Sequence, residues 1–453
     1  MVNLQTLLSL KEHAASWVEQ YPVGMVLDSN ECHSAFGLKN YELLIAAGIK
    51  EEVRSGEKAF EKLNEFIAHH NGEWLFGFLT YDLKNQLEVL ASNHRDGIGF
   101  PELCFFVPQK LIVIDKNGEC IVGNEWIDEV LQQQLPDNAH KPVSLQQRVS
   151  KEQYIEDIES IKQHIIEGDV YELNYCVEFY AEHTSITPDL IYNKLRSKSA
   201  VPFGSFVKYH HHYLMGASPE RFLMKQDNVV YSQPIKGTIK RGCSPEEDEA
   251  LKLALLHSEK ERAENLMIVD LVRNDLARSA QTGSVKVEEL FGVYSFPQVH
   301  QMISTVSANI KEGISISEAI QLAFPMGSMT GAPKIMSMKL IEQYERTKRG
   351  LYSGAIGFIT PDGDFDLNVV IRSIQYNAQS QYLNFEVGGA ITYDSVAELE
   401  YQECLLKAKA MFEVLGGNVQ MCRCADVQMC RCVDVQMCRC ADVQMCRCAD
   451  VMM

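Results

Sequence analysis

The 453-residue sequence lacks any apolar run of about 20 residues, the length needed to cross the hydrocarbon core of a bilayer. Its first residues, MVNLQTLLSLKEHAASW, also lack a basic region followed by an apolar core. Basic residues are few, because 42 Lys and Arg stand against 61 Asp and Glu and give a formal net charge of -19. Nucleic acid and acidic membrane surfaces attract basic patches. We therefore expect a cytoplasmic protein with neither of these partners.

Cysteine is scarce except at the end of the chain. Of 14 cysteines, eight lie in the last 32 residues, where VQMCRCAD repeats every eight residues from about residue 418. Paired Cys-x-Cys units could bind soft metal ions, but a tandem duplication in the coding DNA explains a near-perfect repeat more simply. We interpret residues 418–453 as a disordered tail without function. The other six cysteines show no metal-ligand spacing and fit a reducing compartment; they are Cys32, Cys104, Cys120, Cys176, Cys243 and Cys404.

Helical and strand-like patterns divide the rest of the chain into two parts. Residues 1–140 mix short runs of both kinds, and the polar stretch 132–147, with Pro136 and Pro142, indicates a linker. After it, groups of antiparallel strands with helices between them predict an α+β fold rather than a doubly wound parallel sheet. Helices are predicted at 151–168, 245–278 and 395–415, and strands at 170–182, 203–218, 228–237, 354–360, 365–376 and 384–391.

Two predicted helices each carry a pair of glutamates three residues apart. Glu261 and Glu264 form one pair, and Glu400 and Glu403 form the other. This spacing puts both members of a pair on one helical face. A divalent cation would relieve the repulsion within each pair, and oxygen ligands suit Mg²⁺. The alternative is that both pairs lie on solvated surfaces, since the sequence does not show that the helices meet.

Other residues stand where a ligand could reach them. Lys236, in PIKGT, is either a solvated loop lysine or a nucleophilic amine. The segment FPMGSMTGAPK, residues 324–334, could present backbone N–H groups to an anion, although its spacing is not that of a P-loop. Gly388 and Gly389 allow a ligand to approach the backbone, or form a tight turn. Arg372 alternates with apolar neighbours and needs a carboxylate partner from the protein or a ligand.

The order of these motifs resembles that of the chorismate-utilising family, which contains the large subunits of anthranilate and aminodeoxychorismate synthases and the isochorismate and salicylate synthases. The resemblance makes residues 150–416 a chorismate-binding catalytic domain and residues 1–140 an N-terminal region like that of anthranilate synthase large subunits. It implies two antiparallel β-sheets packed together and surrounded by helices. The matching motifs are SPERF, PIKGT, AENLMIVDLVRNDLAR, FPMGSMTGAPK, RGLYSGAIG, DLNVVIRS and GGAITYDS.

The resemblance also implies roles for single residues. Glu264 and Glu403 would hold Mg²⁺ against the ring carboxylate of chorismate, and Glu261 and Glu400 would support them, partly through water. Glu220, in SPERF, would be the general acid that protonates the departing C4 hydroxyl, a role that favours a raised pKa. The residues implied to bind substrate are Thr238, Ser328, Thr330, Tyr352, Arg372, Gly388, Gly389 and Lys407.

Lys236 selects the branch within this family. The resemblance implies alanine at this position in anthranilate, isochorismate and salicylate enzymes, and lysine in aminodeoxychorismate synthases. There the amine adds at C2 as the C4 hydroxyl leaves, and ammonia then attacks C4 and expels the lysine. Glu172 aligns with the lysine that activates water in the isochorismate and salicylate enzymes. Gln301 aligns with a histidine of anthranilate synthases, although His300 is adjacent.

We therefore expect an enzyme that converts chorismate and ammonia to 4-amino-4-deoxychorismate, for 4-aminobenzoate and folate synthesis. A separate glutamine amidotransferase subunit would supply the ammonia, since no segment offers a glutaminase triad. The alternatives are an anthranilate synthase large subunit in tryptophan biosynthesis and a non-catalytic regulatory subunit. Two residues depart from the family pattern: Ala390 replaces a glycine, whose φ could be positive, and Glu172 replaces a glutamine found in many relatives.

Overall fold

The computed structural model describes residues 2–32, 41–137, 141–297 and 299–416. The predicted repeat from about residue 418 lies outside the described residues. Within the described ranges, no helix is both long enough and apolar enough to cross a membrane.

Helices and strands alternate in groups along the described chain. The helices are α1 Leu4–Val18, α2 Ala59–His69, α3 Lys84–Leu87, α4 Ile127–Leu131, α5 Lys151–Glu167, α6 Pro188–Lys198, α7 Pro245–His257, α8 Glu259–Ala277, α9 Ile316–Ala323, α10 Lys334–Tyr344 and α11 Ala397–Val414. The strands are β1 Val23–Asp28, β2 Tyr41–Ser55, β3 Leu75–Leu79, β4 Leu103–Asp115, β5 Cys120–Val122, β6 Gln146–Gln147, β7 Glu172–Ala181, β8 Phe203–Tyr209, β9 His212–Ser218, β10 Arg221–Gln226, β11 Val229–Gln233, β12 Ile235–Lys240, β13 Lys286–Ser295, β14 Val299–Asn309, β15 Gly331–Ala332, β16 Ala355–Ile359, β17 Phe365–Val369, β18 Ser373–Asn377 and β19 Tyr382–Ile391.

The strands pair antiparallel in two sheets that share the long strands β2 and β4. One sheet runs in the order β5-β4-β2-β1-β8-β9-β18-β19-β7-β6, with β15 also on β7. The other continues from the start of β4 through β3-β16-β17-β10-β11-β14, and β14 also pairs with β12 and β13. Strands from residues 1–140 therefore pair directly with strands from the later region, as β1 does with β8.

Three buried apolar clusters show how the sheets pack. Along β2, Leu43 and Ile45 belong to a cluster that also holds α1, α5 and α11, whereas Leu44 and Ala46 belong to a cluster between the sheets. The alternation follows from the two-residue period of a strand. The third cluster covers the outer face of the second sheet with α2, α8 and α9. The predicted α+β fold of two packed antiparallel sheets surrounded by helices is confirmed.

The predicted helix over 245–278 is two helices rather than one. Ser258 lies between them with φ -67° and ψ 112°, and its hydroxyl accepts a hydrogen bond from the backbone N–H of Glu261. Serine favours this capping role because it satisfies an N–H that has no partner within the helix. The break makes Glu261 a first-turn residue of α8, so a cap that periodicity alone does not reveal sets the position of the glutamate pair.

Candidate active site

The two glutamate pairs lie close together. Glu261 and Glu264 project from the N-terminal half of α8, and Glu400 and Glu403 from that of α11. Burial raises the pKa of Glu264, and the carboxylate of Glu403 contributes to the rise by repulsion. Burial also raises the pKa of Glu261, with further contributions from Glu264 and Glu403. The two helices therefore bring their glutamates close enough to repel one another, which the sequence did not show, and we call these four carboxylates the glutamate cluster.

Two lysines offset part of the negative charge of the glutamate cluster. Lys407 Nζ lies 2.8 Å from Glu403 Oε1 and holds the pKa of this carboxyl below its ordinary value. Lys260 Nζ lies 3.8 Å from Glu264 Oε1. The other three carboxyls keep raised pKa values, chiefly through burial. No three of these four described residues bring ligand oxygens within 4.8 Å of one another, so the cluster is open and rich in negative charge.

Lys236 lies in a β-bulge of β12. The register with β14 shifts between Ile235 and Thr238, so Lys236 and Gly237 together oppose one residue of the partner strand. Gly237 has φ 93°, and a Cβ there would lie 3.0 Å from Glu261 Oε2, so the bulge packs against the glutamate cluster. The Lys236 amine has no hydrogen bond or ion pair with any residue in the described part of the chain.

The charge of Lys236 acts on Glu220 as well as on Glu264 of the glutamate cluster, so both carboxyls lie near this amine. The Glu220 side chain is 6% exposed. Burial raises the pKa of Glu220 to about 7, although a hydrogen bond from the Ser328 hydroxyl and the charges of Lys236 and Arg372 oppose the rise. A carboxyl with a pKa near 7 can hold a proton and release it at neutral pH.

Arg372 is held in an unusual backbone conformation. It separates β17 from β18 with φ 49°, a region that non-glycine residues seldom adopt. Burial lowers the pKa of its guanidinium, and the carboxylate of Glu220 opposes this effect. The guanidinium makes no hydrogen bond or ion pair with residues that the structure describes. It therefore remains available to an anionic ligand.

Tyr352, Gly388 and Gly389 all lie beside strand β7. The Tyr352 hydroxyl is buried and accepts a hydrogen bond from Cys176 Sγ at 3.7 Å. A Cβ at Gly388 would lie 2.3 Å from a backbone oxygen of β7, so no side chain fits there. A Cβ at Gly389 would point toward Lys407 Nζ at 3.6 Å. Lys407 Nζ also donates to the Gly388 carbonyl at 2.9 Å, which joins this backbone to the glutamate cluster.

The structure gives less direct support for two threonines as substrate contacts. Thr330 is fully buried, and its hydroxyl donates to the carbonyls of Met326 and Gly327 inside its own loop. Thr238 is exposed on β12 beside the bulge. Their roles as substrate contacts stay predictions.

Gln301 and His300 occupy opposite faces of β14, as successive strand residues do. The buried His300 ring contacts Ser295 Oγ at 2.8 Å and Asp248 Oδ1 at 2.9 Å. Gln301 pairs with Thr238, and its buried Oε1 has no hydrogen-bond partner among the described residues. The Gln301 side chain therefore lies on the face of β14 opposite to the one on which His300 contacts Ser295 and Asp248.

Three further residues show what sequence reasoning missed or left open. Lys260 was missed, although its four-residue spacing from Glu264 is the signal of a helical ion pair. Glu172 is buried on β7, its Oε2 has no partner in the described ranges, and its charge contributes, after burial, to the raised pKa of Glu264. Ala390 is not among the described residues with positive φ, so its methyl group causes no backbone strain.

Comparison with known proteins places this geometry in a family. The model of chorismate binding enzymes matches residues 25–413. The chain is 36% identical over 385 residues to a chloroplastic aminodeoxychorismate synthase of Arabidopsis thaliana, which is 78% of this chain and 41% of that protein. It is 32% identical over 362 residues to aminodeoxychorismate synthase component 1 of Escherichia coli, covering 78% of each.

A solved structure agrees with the sequence relatives. The crystal structure of anthranilate synthase component I from Streptococcus pneumoniae superposes with a TM-score of 0.73 and 28% identity, over 84% of this chain and 93% of that chain. The chain thus spans nearly all of this neighbour but less than half of the length of the plant relative. From its family model and its relatives, the chain belongs to the chorismate-binding enzymes.

Proposed function

We propose that the chain aminates chorismate at C4 to give 4-amino-4-deoxychorismate, using ammonia from a glutamine amidotransferase subunit. The single observation that carries this proposal is the Lys236 amine, which lies in a bulge without an ion pair to the described residues and is near both the Glu220 carboxyl and the glutamate cluster. The relatives named aminodeoxychorismate synthase and component 1 support the reaction and a partner subunit. The product would feed 4-aminobenzoate and folate synthesis.

The glutamate cluster fits Mg²⁺ as the cofactor. Its donors are carboxylate oxygens only, which suit a hard divalent cation. Three of the four carboxyls have raised pKa values. A bound cation would relieve the repulsion between them. Glu264 and Glu403 would hold the ion, and Glu261 and Glu400 would support it, partly through water. When bound, Mg²⁺ supplies positive charge for the ring carboxylate of chorismate.

The protein side chains divide the chemistry between them. Lys236 Nζ attacks C2, the two ring double bonds shift toward C4, and the C4–O bond breaks as Glu220 transfers its proton to the departing oxygen, which leaves as water. Ammonia then forms the C4–N bond, both ring double bonds shift back, and the C2–N bond breaks and releases the Lys236 amine. The proton that ammonia loses restores the Glu220 carboxyl. Two displacements thus replace one difficult substitution.

Positively charged and small groups would hold the substrate in place. Arg372, which lacks a protein partner in the described ranges, and the buried Tyr352 hydroxyl would bind the enolpyruvyl carboxylate together with the backbone at Gly388 and Gly389. Lys407 would reach the ring carboxylate beside the metal. Ser328, Thr330 and Thr238 would complete the pocket around the ring.

The test combines product analysis with one matched pair of variants. Purified protein is incubated with chorismate, Mg²⁺ and ammonium salt, and the product is identified by chromatography and mass spectrometry. We expect 4-amino-4-deoxychorismate from the native chain, and a loss of at least about 100-fold in Lys236→Ala, since covalent catalysis is then impossible. Lys240→Ala, on the exposed end of the same strand, should retain activity. Anthranilate as the product, or full activity in Lys236→Ala, would refute the proposal.

A second candidate, anthranilate synthesis, is favoured by the similarity to a solved anthranilate synthase component I. The two reactions share chorismate, Mg²⁺ and ammonia, so binding cannot separate them. Product identity does so directly, because anthranilate has lost the enolpyruvyl group and 4-amino-4-deoxychorismate retains it.

A further inference from the structure

Two histidines lie at the end of α2, next to a glutamate of β2. His69 is the last residue of α2, and His70 is its C-cap. Glu51 follows a shift in the register between β2 and β4, which indicates a β-bulge. One ligand atom from each of these three residues lies within 4.8 Å of the other two. None of the three takes part in the proposed amination.

The two ring nitrogens of the buried histidine in this group face different carboxylates. His70 is 7% exposed, and its Nδ1 lies 2.9 Å from Glu73 Oε1. Its Nε2 makes no hydrogen bond to the residues described, although it lies 3.2 Å from Glu51 Oε2. Metal-ligating histidines commonly donate one ring N–H to a carboxylate, which turns the other nitrogen's lone pair toward the ion. Glu73 is placed to perform this orienting role.

From this arrangement, we propose that Glu51, His69 and His70 bind Zn²⁺, with water as the fourth ligand. Zinc bound at about 2.0–2.1 Å by tetrahedral ligands keeps neighbouring ligand atoms about 3.3 Å apart. The distance from His70 Nε2 to Glu51 Oε2 already has this value at 3.2 Å. His69 and Glu51 are exposed, so their side chains are free to close the remaining distance. Two imidazoles and one carboxylate form a ligand set that suits zinc better than Mg²⁺.

A second cluster, of one histidine and two carboxylates, differs in how its histidine is engaged. His164, Glu167 and Asp169 also bring ligand atoms within 4.8 Å of one another. Both ring nitrogens of His164 are engaged, however, with Asp169 Oδ2 at 2.7 Å and the Tyr344 hydroxyl at 3.1 Å. The Nε2 of His164 is thus taken by Tyr344, a residue outside its cluster, whereas the Nε2 of His70 faces Glu51, which is itself a proposed ligand.

The proposal predicts zinc binding that depends on the histidine pair. The full chain is dialysed against micromolar Zn²⁺ with Mg²⁺ in excess, and the bound zinc per chain is measured by atomic spectroscopy. We expect His69→Gln and Glu51→Gln each to bind one Zn²⁺ fewer than the native chain. Every variant keeps the cysteine repeat, so any zinc bound there cancels in the difference. Zn²⁺ should also raise the melting temperature of the native chain more than that of either variant.

Two more variants complete the test. Glu65→Gln, which removes the same charge from an exposed position on α2, should bind as much zinc as the native chain. Glu73→Gln should weaken zinc binding about 10–100-fold, as the loss of an orienting carboxylate does. His69 and Glu51 are exposed, so these variants should fold. Equal zinc in the native chain, His69→Gln and Glu51→Gln would overturn the proposal and leave His70 as a neighbour of Glu51 and Glu73 without a bound ion.

Discussion

Two side chains, Lys236 and Glu220, differ from ordinary residues of their type in what surrounds them. A lysine beside four carboxylates would normally form an ion pair, yet the Lys236 amine pairs with none of the described residues. The bulge that carries it fixes its position without using its charge. Glu220 is buried next to two cations and still has a raised pKa, because burial outweighs their attraction. The Lys236 amine could therefore react without first breaking an ion pair, and Glu220 can hold a proton at neutral pH despite its hydrogen bond from Ser328.

The raised pKa of Glu220 predicts how activity depends on pH. A general acid must be protonated, and the pKa of Glu220 is about 7. We expect kcat/KM for amination to fall about tenfold for each pH unit above this value. The measurement should hold the concentration of free ammonia constant across pH. Glu220→Gln should lose at least about 100-fold in activity, whereas an unchanged pH profile in that variant would show that another group titrates.

The same raised pKa predicts that Glu220, which the proposed reaction needs, lowers the stability of the fold when it is ionised. A carboxyl whose folded pKa lies above its unfolded value contributes stability at low pH and loses it as the pH rises through the folded pKa. The shift from 4.5 to about 7 corresponds to about 3 kcal/mol of destabilisation at pH 8. Glu220→Gln should therefore unfold at a higher temperature than the native chain at pH 8, with the difference vanishing near pH 4. Thermal unfolding followed by circular dichroism at both pH values tests this sign.

At the scale of elements, the bulge of β12 carries the proposed nucleophile and packs against the glutamate cluster, the proposed metal site. Gly237 has φ 93°, and a Cβ there would contact Glu261 Oε2 at 3.0 Å and Leu255 Cδ1 at 3.2 Å. Gly237→Ala would add backbone strain and also push the strand away from α8. We expect it to lower kcat for amination at least tenfold and to raise the Mg²⁺ concentration needed for half-maximal activity.

Gly283 provides the matched control for that substitution. It has φ 78°, but nothing lies within 4 Å of where its Cβ would be. Gly283→Ala should cost a similar strain of about 1 kcal/mol, measured by denaturant unfolding, without changing the Mg²⁺ dependence. If both alanine variants lose activity equally, backbone strain alone explains the effect and the contact with the glutamate is unimportant.

The sequence predicts most helices and strands well, but it does not predict which residues far apart in the chain lie close together in the fold. The helix over 151–168 and the strand over 170–182 agree with α5 and β7 to within two residues, because periodicity and a terminal glycine determine them locally. The predicted helix over 245–278 breaks at Ser258, since a side-chain cap competes with helix continuation. The meeting of Glu264 with Glu403 depends on two helices far apart in sequence, which no local pattern encodes. The φ of Arg372 and the bulge at Lys236 likewise arise from tertiary packing.

At the scale of the whole molecule, the glutamate cluster joins two separately packed halves. The apolar face of α8, with Val269 and Val272, belongs to the core outside the second sheet. The apolar face of α11, with Cys404 and Met411, belongs to the core outside the first sheet. The carboxylates therefore repel across the junction between the two halves, and a bound cation would hold the halves together.

This arrangement predicts that Mg²⁺ reverses the effect of Glu264→Gln on stability. The raised pKa of Glu264 means that ionising this carboxyl destabilises the fold as the pH rises. In EDTA at pH 8, Glu264→Gln should thus melt above the native chain. With Mg²⁺ at about 100 times its Kd, the native chain should gain about 2.7 kcal/mol by mass action. The variant should gain far less and melt below it. Thermal unfolding curves that keep the same order in EDTA and in Mg²⁺ would show that Glu264 does not hold the ion.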